Sequence, residues 1–233
     1  DGMKLPVALL DRTLYKDGEW NTLCLPFNIA LQGSPLDGAV ARPLTSASIS
    51  GSTLNLTFGD AVTTLQAGTP YIIKWAKADN YVDDDAHNIV SPVFSGVTID
   101  KTERNYDNGV AGDLRVRFLG TCASQSFDAE DKSILFMGDD DKLYYPQADA
   151  SIGAQRAYFK IGEDGARANS RGITAFNIDF GDGETTEIRE IHNAQGTMHN
   201  VSDVWYSLDG RRLNGKPSRA GVYINNGNKI VIK

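Results

Sequence analysis

Apolar residues recur at alternate positions in short runs along most of the chain, and clusters of Gly, Asp, Asn and Pro separate the runs. That period of two sets side chains alternately on the two faces of a strand, whereas a helix needs apolar positions three and four apart. No stretch carries the pattern of a long amphipathic helix. Residues 9–15 and 20–29 flank Lys16-Asp17-Gly18-Glu19, whose Asp-Gly pair tolerates the positive φ of a tight turn, so a first hairpin is predicted there. Residues 47–49 and 53–58 flank Ser50-Gly51-Ser52 and predict a second. Further strands are predicted over 71–76, 89–94, 97–99, 114–120, 134–137, 143–145, 156–161 and 173–180. With no helices to cross over between them, strands this dense pair antiparallel. The predicted fold class is therefore all-β: an antiparallel β-sandwich, built as one body or as two packed β subdomains, followed by a small β-hairpin tail.

The alternation also assigns faces. Tyr71, Ile73 and Trp75 share one face of their run, read as a core face. In the run that begins at Trp20, Leu23, Leu25 and Phe27 lie on one side and Trp20, Thr22 and Cys24 on the other. Both sides are apolar enough to be covered, as in a central strand.

After Phe180 the composition shifts to Gly181-Asp182-Gly183-Glu184-Thr185-Thr186 and then to a polar stretch without periodicity. The predicted organisation is a sandwich body over 1–181, a polar linker over 182–203 and a tail over 204–233. Asp209-Gly210 and Asn226-Gly227 predict two successive hairpins in the tail.

Composition narrows the class. The chain has 233 residues, 41% of them hydrophobic and 23% charged, which is the balance of a globular protein. Its longest purely apolar runs, such as Val7-Ala8-Leu9-Leu10, have four residues, against about 20 for a spanning helix. It is not expected to span a membrane. Thirty acidic against 23 basic residues, with no basic stripe, leave no source for the counterion release that drives nucleic-acid binding. The opening Asp1-Gly2-Met3 reads as a mature or excised chain. Cys24 and Cys122 lack the paired spacing of a zinc or redox site and are expected to be free, buried thiols.

The tail resembles the C-terminal ends of secreted and surface proteins of anaerobic Gram-negative gut and oral bacteria, including those related to the Por-type (type IX) sorting segment. The residues that carry the resemblance are Trp205-Tyr206-Ser207-Leu208-Asp209-Gly210-Arg211-Arg212-Leu213, Gly221-Val222-Tyr223-Ile224, Gly227, Lys229 and Ile230-Val231-Ile232-Lys233. Within it, the resemblance assigns Gly221, Tyr223, Gly227, Lys229 and Lys233 to a sorting motif. The body resembles a β domain that recurs in such proteins downstream of leucine-rich or other repeats, through Gly18-Glu19-Trp20-Asn21-Thr22-Leu23-Cys24-Leu25-Pro26-Phe27, Ala67-Gly68-Thr69-Pro70-Tyr71-Ile72-Ile73-Lys74, Val93-Phe94-Ser95-Gly96-Val97, and Leu143-Tyr144-Tyr145-Pro146 with Ile152-Gly153-Ala154-Gln155-Arg156-Ala157-Tyr158-Phe159-Lys160. The resemblance implies secretion or display on the outer surface of a Gram-negative bacterium, and it implies no chemistry.

The candidate chemistry is sparse. Asp83-Asp84-Asp85, Asp182 with Glu184, and Asp139-Asp140-Asp141 offer carboxylates for calcium, but none follows the spacing of a calcium loop. Asp139, Asp140 and Asp141 fall where a hairpin between Met137 and Leu143 turns, so solvated turn residues are expected, with no metal or other cofactor. His87, His192 and His199 fall in predicted loops or linker, and no Gly-x-Ser-x-Gly elbow is present. No enzyme is expected; a glycan-active hydrolase is the reading without positive support. Tyr81, beside an acidic loop, and Tyr106, before Asp107-Asn108-Gly109, are read as loop aromatics able to stack on a sugar or anchor an interface. The expected function is a non-catalytic adhesion or binding module contacting host protein or glycan. The alternative is a structural spacer or cap that carries upstream repeats and the export tail.

Overall fold

The computed structural model describes residues 1–128, 131–146, 150–163 and 173–183, with the strands Arg189–Glu190, Trp205–Ser207, Arg212–Leu213, Gly221–Asn225 and Asn228–Ile232. The fold is all-β, and its described helical turns are two short 3-10 segments, Gly112–Leu114 and Asp139–Asp141. A six-stranded sheet runs in the order Arg189–Glu190, Ala175–Asp179, Thr53–Phe58, Val40–Ser50, Tyr71–Lys74, Asn21–Leu23. A five-stranded sheet runs Tyr106–Asp107, Val116–Gly120, Ala157–Ile161, Ile134–Gly138, Lys142–Tyr144.

The two sheets pack through one apolar layer. Leu54, Leu56, Phe58, Phe176, Ile178 and Phe180 of the first meet Val116, Phe118, Leu135, Met137 and Phe159 of the second. Phe118 and Phe159 stack with centroids 4.5 Å apart, and Phe58 meets Phe118 edge-on at 6.1 Å. Such offset and edge-to-face contacts are the favoured arrangements of aromatic rings in a dry core.

One irregularity sets the phase of the long strand. Leu44 pairs with Phe58 and Ser46 with Thr57, so Thr45 is an inserted residue. The bulge puts Leu44 and Ala47, three apart, into the same core.

The opposite face of the Asn21–Leu23 and Tyr71–Lys74 end carries a second core of Leu23, Leu25, Phe27, Tyr71, Ile73, Trp75 and Phe94. Ribbons cover it: Lys4–Leu9 with Val93–Thr98, Thr13–Leu14 with Ile89–Val90, and Ile29–Ala30 with Thr64–Leu65. A third, smaller cluster of Ile134, Phe136, Ile152 and Tyr158 lies with Phe127 and Ala150 of the Gln125–Phe127 and Ala150–Ile152 ribbon.

Four differences from the pattern reading have physical causes. Ala175–Asp179 pairs parallel to Thr53–Phe58, because the chain builds the five-stranded sheet before returning to the first. The Asp17-Gly18 turn forms, with Gly18 at φ 91° and Glu19 N–H donating to Asp17 Oδ1 at 2.9 Å, yet its flanks pair elsewhere. Thr13–Leu14 joins Ile89–Val90 and Asn21–Leu23 joins Tyr71–Lys74, since burial on both faces, not the turn, selects their partners.

Asn21–Leu23 is covered on both faces as expected, but it ends its sheet. Its edge is sealed by side chains: Arg12 Nη1 donates to Thr22 O at 2.9 Å and to Gln155 O at 2.7 Å, and Ala157 N–H donates to Thr22 Oγ1 at 3.2 Å. Burial, with Arg156 nearby, pushes the Arg12 guanidinium well below its ordinary pKa. Finally, Arg189–Glu190, within the stretch read as linker, is the outer strand of the six-stranded sheet. In the tail, Trp205–Ser207 pairs with both Arg212–Leu213 and Gly221–Asn225, and the latter pairs with Asn228–Ile232, giving four strands.

Candidate functional site

Loops from both sheets and from the outer ribbons meet around Trp20. The 15–20 loop is closed by Asn21, which accepts from Tyr15 N–H at 3.2 Å and donates to Tyr15 O at 3.0 Å. Gly18 lets this loop approach its neighbour: a Cβ there would lie 3.1 Å from Lys77 Cβ, at a φ that side chains rarely adopt.

Asn88 joins the second loop to the first. Its Oδ1 accepts from Lys16 N–H and from the Tyr81 hydroxyl, each at 3.0 Å, and its Nδ2 donates to Asp83 Oδ1 at 2.7 Å. Asp84 caps the same loop, accepting from Ala86 and His87 N–H and lying 2.7 Å from His87 Nδ1. Those contacts, led by the His87 side chain, hold the Asp84 carboxyl below its usual range. The Lys77 ammonium lies 5.3 Å from the Tyr81 ring centroid, and the Tyr81 and His87 rings meet in a T-shaped contact at 6.1 Å. Burial pushes the Tyr81 hydroxyl up to about 12, against the opposing bond to Asn88.

The third loop is the Asp139–Asp141 turn. Asp140 and Asp141 sit at φ 57° and 55°, a conformation that aspartate tolerates better than most residues. Trp20 N–H donates to Asp141 Oδ1 at 2.7 Å, and Asp140 N–H donates back to Glu19 Oε2 at 3.1 Å. Burial pushes the Asp141 carboxyl up to about 6; the Trp20 N–H bond and Lys74 oppose the rise, and Glu19 and Asp17 add to it. Lys74 stands 4.4 Å over the Trp20 ring and 3.4 Å from Asp182.

Comparison of the chain with family models, with curated proteins and with solved structures returns no match. The functional reading rests on this geometry and on the sequence.

A carboxylate raised toward neutrality beside a second carboxylate is a pattern that acid–base chemistry uses. Here each of the two accepts a backbone N–H from the other's loop, so the pair clasps the loops together.

The predicted site residues scatter. Tyr81 lies in this cluster. Tyr106, read as a loop aromatic, is instead half-buried in the Tyr106–Asp107 strand, packs against the inter-sheet core and accepts Ala47 N–H at 2.8 Å through its hydroxyl. Asp139, Asp140 and Asp141 occupy the expected turn, with Asp141 directed inward to Trp20 and Asp140 held by Lys142 at 2.8 Å. Among the described residues no three His, Cys, Asp or Glu side chains gather as a metal ion would need. Gly221, Tyr223 and Lys229 lie in tail strands, whereas Gly227, Lys233, His192 and His199 fall outside the described residues.

Glu19, Lys74 and Asn88 were not singled out by the pattern reading. Glu19 and Asn88 carry only the signal of a polar residue beside a turn, which most turns carry, and Lys74 only that of a polar position in a strand.

Proposed function

We propose that the chain is a non-catalytic binding module of a secreted or outer-surface bacterial protein. Its contact face is the loop end formed by residues 15–20, 77–90 and 138–142, and its partner is a host protein or glycan. The observation that supports this reading is the clasp itself. Loops from separate parts of the fold are fixed to one another by side-chain bonds to backbone amides, so the surface is ordered before a partner arrives and little ordering entropy is lost on association. Tyr81, in contact with both Lys77 and His87, offers an amphipathic ring on that face. Carboxylates outnumber lysines there, which favours a protein partner with a basic surface. Placement on the cell surface is supported by the resemblance of the tail to sorting segments.

The test is binding of the full chain to immobilised host matrix proteins and surface glycans. Binding to at least one, weakened about tenfold or more by Tyr81→Ala and unaffected by Lys101→Ala, is expected. Binding to none, or binding indifferent to Tyr81→Ala, contradicts the reading and leaves a spacer or cap.

A further inference from the structure

Cys24 directly follows the Asn21–Leu23 strand of the six-stranded sheet, and Gly120 ends the Val116–Gly120 strand of the five-stranded one. They meet across the sandwich: a Cβ added to Gly120 would lie 2.7 Å from Cys24 Cβ and would collide with its Sγ. The Cys24 thiol therefore rests on the backbone that leads, through Thr121, to Cys122. One residue spans the two backbones. The Gln155 carbonyl accepts Cys24 N–H at 3.4 Å, and its N–H donates to Thr121 O at 2.6 Å. Thr121 is fixed further by its own N–H, which donates to Arg156 O at 2.8 Å, and by its hydroxyl, which donates to Gly153 O at 2.8 Å.

The two thiols have opposite surroundings. Cys122 is exposed and Cys24 is buried. Burial pushes Cys24 up to about 12, and Cys122 and Glu103 are near enough to add to the rise. The expectation of two buried thiols thus holds for one of them.

We propose that Cys24 and Cys122 are a dithiol pair that closes to an intramolecular disulfide between the two sheets when the protein meets a low-molecular-weight disulfide, with Cys122 reacting first. The Cys122 thiolate attacks one sulfur of the small disulfide RSSR, forming a Cys122–S–S–R bond and releasing one thiolate. Cys24 then gives its proton to solvent, attacks Cys122 Sγ and expels the second thiolate. Two protein thiols are oxidised, and RSSR is reduced to two RSH. The order follows from access, since the exposed thiol is the one an oxidant meets. The second step is slow, because little of a buried thiol is ionised near neutral pH, so the mixed disulfide accumulates before the bond closes.

The experiment uses the full chain, reduced, desalted and incubated at about pH 8, where a thiol of ordinary acidity is partly ionised, with oxidised glutathione. Samples are blocked with iodoacetamide in denaturant and read by intact mass and peptide mapping. The expected course is a glutathione adduct on Cys122 that decays into a monomer two hydrogen atoms lighter, with the Cys24 and Cys122 peptides joined. That product melts higher than the reduced protein, and dithiothreitol reverses the change. Cys24→Ala stops at the adduct, and Cys122→Ser forms no internal bond. Should Cys24→Ala fail to fold, the wild-type time course decides by itself. An adduct on wild-type Cys122 that persists without closing, dimers linked through Cys122, or a bond that forms only in denaturant overturns the proposal.

Discussion

The backbone N–H of Trp20 donates to Asp141 Oδ1 at 2.7 Å, tying the start of the Asn21–Leu23 strand to the turn that joins two strands of the opposite sheet. The carboxylate that accepts this bond is mostly buried, and its pKa is raised to about 6. The folded protein therefore holds the Asp141 proton more tightly than the unfolded chain does. The stability this group contributes is full below the unfolded carboxyl value, near pH 4, and is lost as pH rises through about 6. Asp141→Asn keeps an acceptor for Trp20 N–H without a charge. At about pH 7.5 the variant is expected to be more stable than the wild type by on the order of 2 kcal/mol, and flatter with pH between about 4 and 7. Urea unfolding across that range checks both statements.

The acid limb has the opposite sign. Asp100 is held down to about 2 by Thr102 and Arg104, and Asp84, Asp107 and Glu163 are also lowered by their hydrogen-bonded partners. Their contribution is present above the unfolded carboxyl value and disappears as pH falls through the folded values. The urea midpoint is expected to drop from about pH 4 toward pH 2, and Asp100→Asn is expected to reduce that slope.

Gly120 has an ordinary backbone conformation, so its substitution tests contact alone. The added methyl of Gly120→Ala meets Cys24 Cβ at 2.7 Å as well as Sγ, and is expected to cost about 1–3 kcal/mol. Cys24→Ala removes the sulfur but leaves Cβ, so it should restore only part of the loss, and Cys24→Gly more of it. A thermodynamic cycle on the two positions gives the coupling; additivity would contradict the close approach.

Among the described residues, every core side chain lies at or before Phe180. Removing 184–233 takes away the Arg189–Glu190 strand but no member of that core, so the truncated chain is expected to unfold cooperatively while its display on native cells falls. Truncation after Ile161 removes Phe176, Ile178 and Phe180, each worth about 2–5 kcal/mol in a core, and should leave no folded protein. Circular dichroism melts and whole-cell labelling distinguish the two.

The all-β class was legible because alternation is a local property: Leu54, Leu56 and Phe58 are buried while Thr53, Asn55 and Thr57 are half-buried. Partner choice was not local. Asp17-Gly18 announces a turn, but the strand partner of Asn21–Leu23 lies at Tyr71–Lys74, about fifty residues on, where no short-range signal reaches. The parallel return of Ala175–Asp179 was hidden for the same reason, and the Thr45 bulge shifts the alternation of its own strand. For the candidate site, the turn at Asp139–Asp141 was readable from its residues. Its clasp to Glu19 and Trp20 was not, because Asp141 is distinguished from its two neighbours only by the direction it takes in three dimensions.

Hydrogen exchange of the full chain, free and saturated with a host protein or glycan identified by panel binding, tests the contact face most directly. The expectation is that residues 15–20, 77–90 and 138–142 gain protection together on binding, with the Trp20 and Asp140 amides already slow in the free protein. Protection gained only on the Lys4–Leu9 and Val93–Thr98 ribbon or in the tail strands, with the three loops unchanged, would contradict the account.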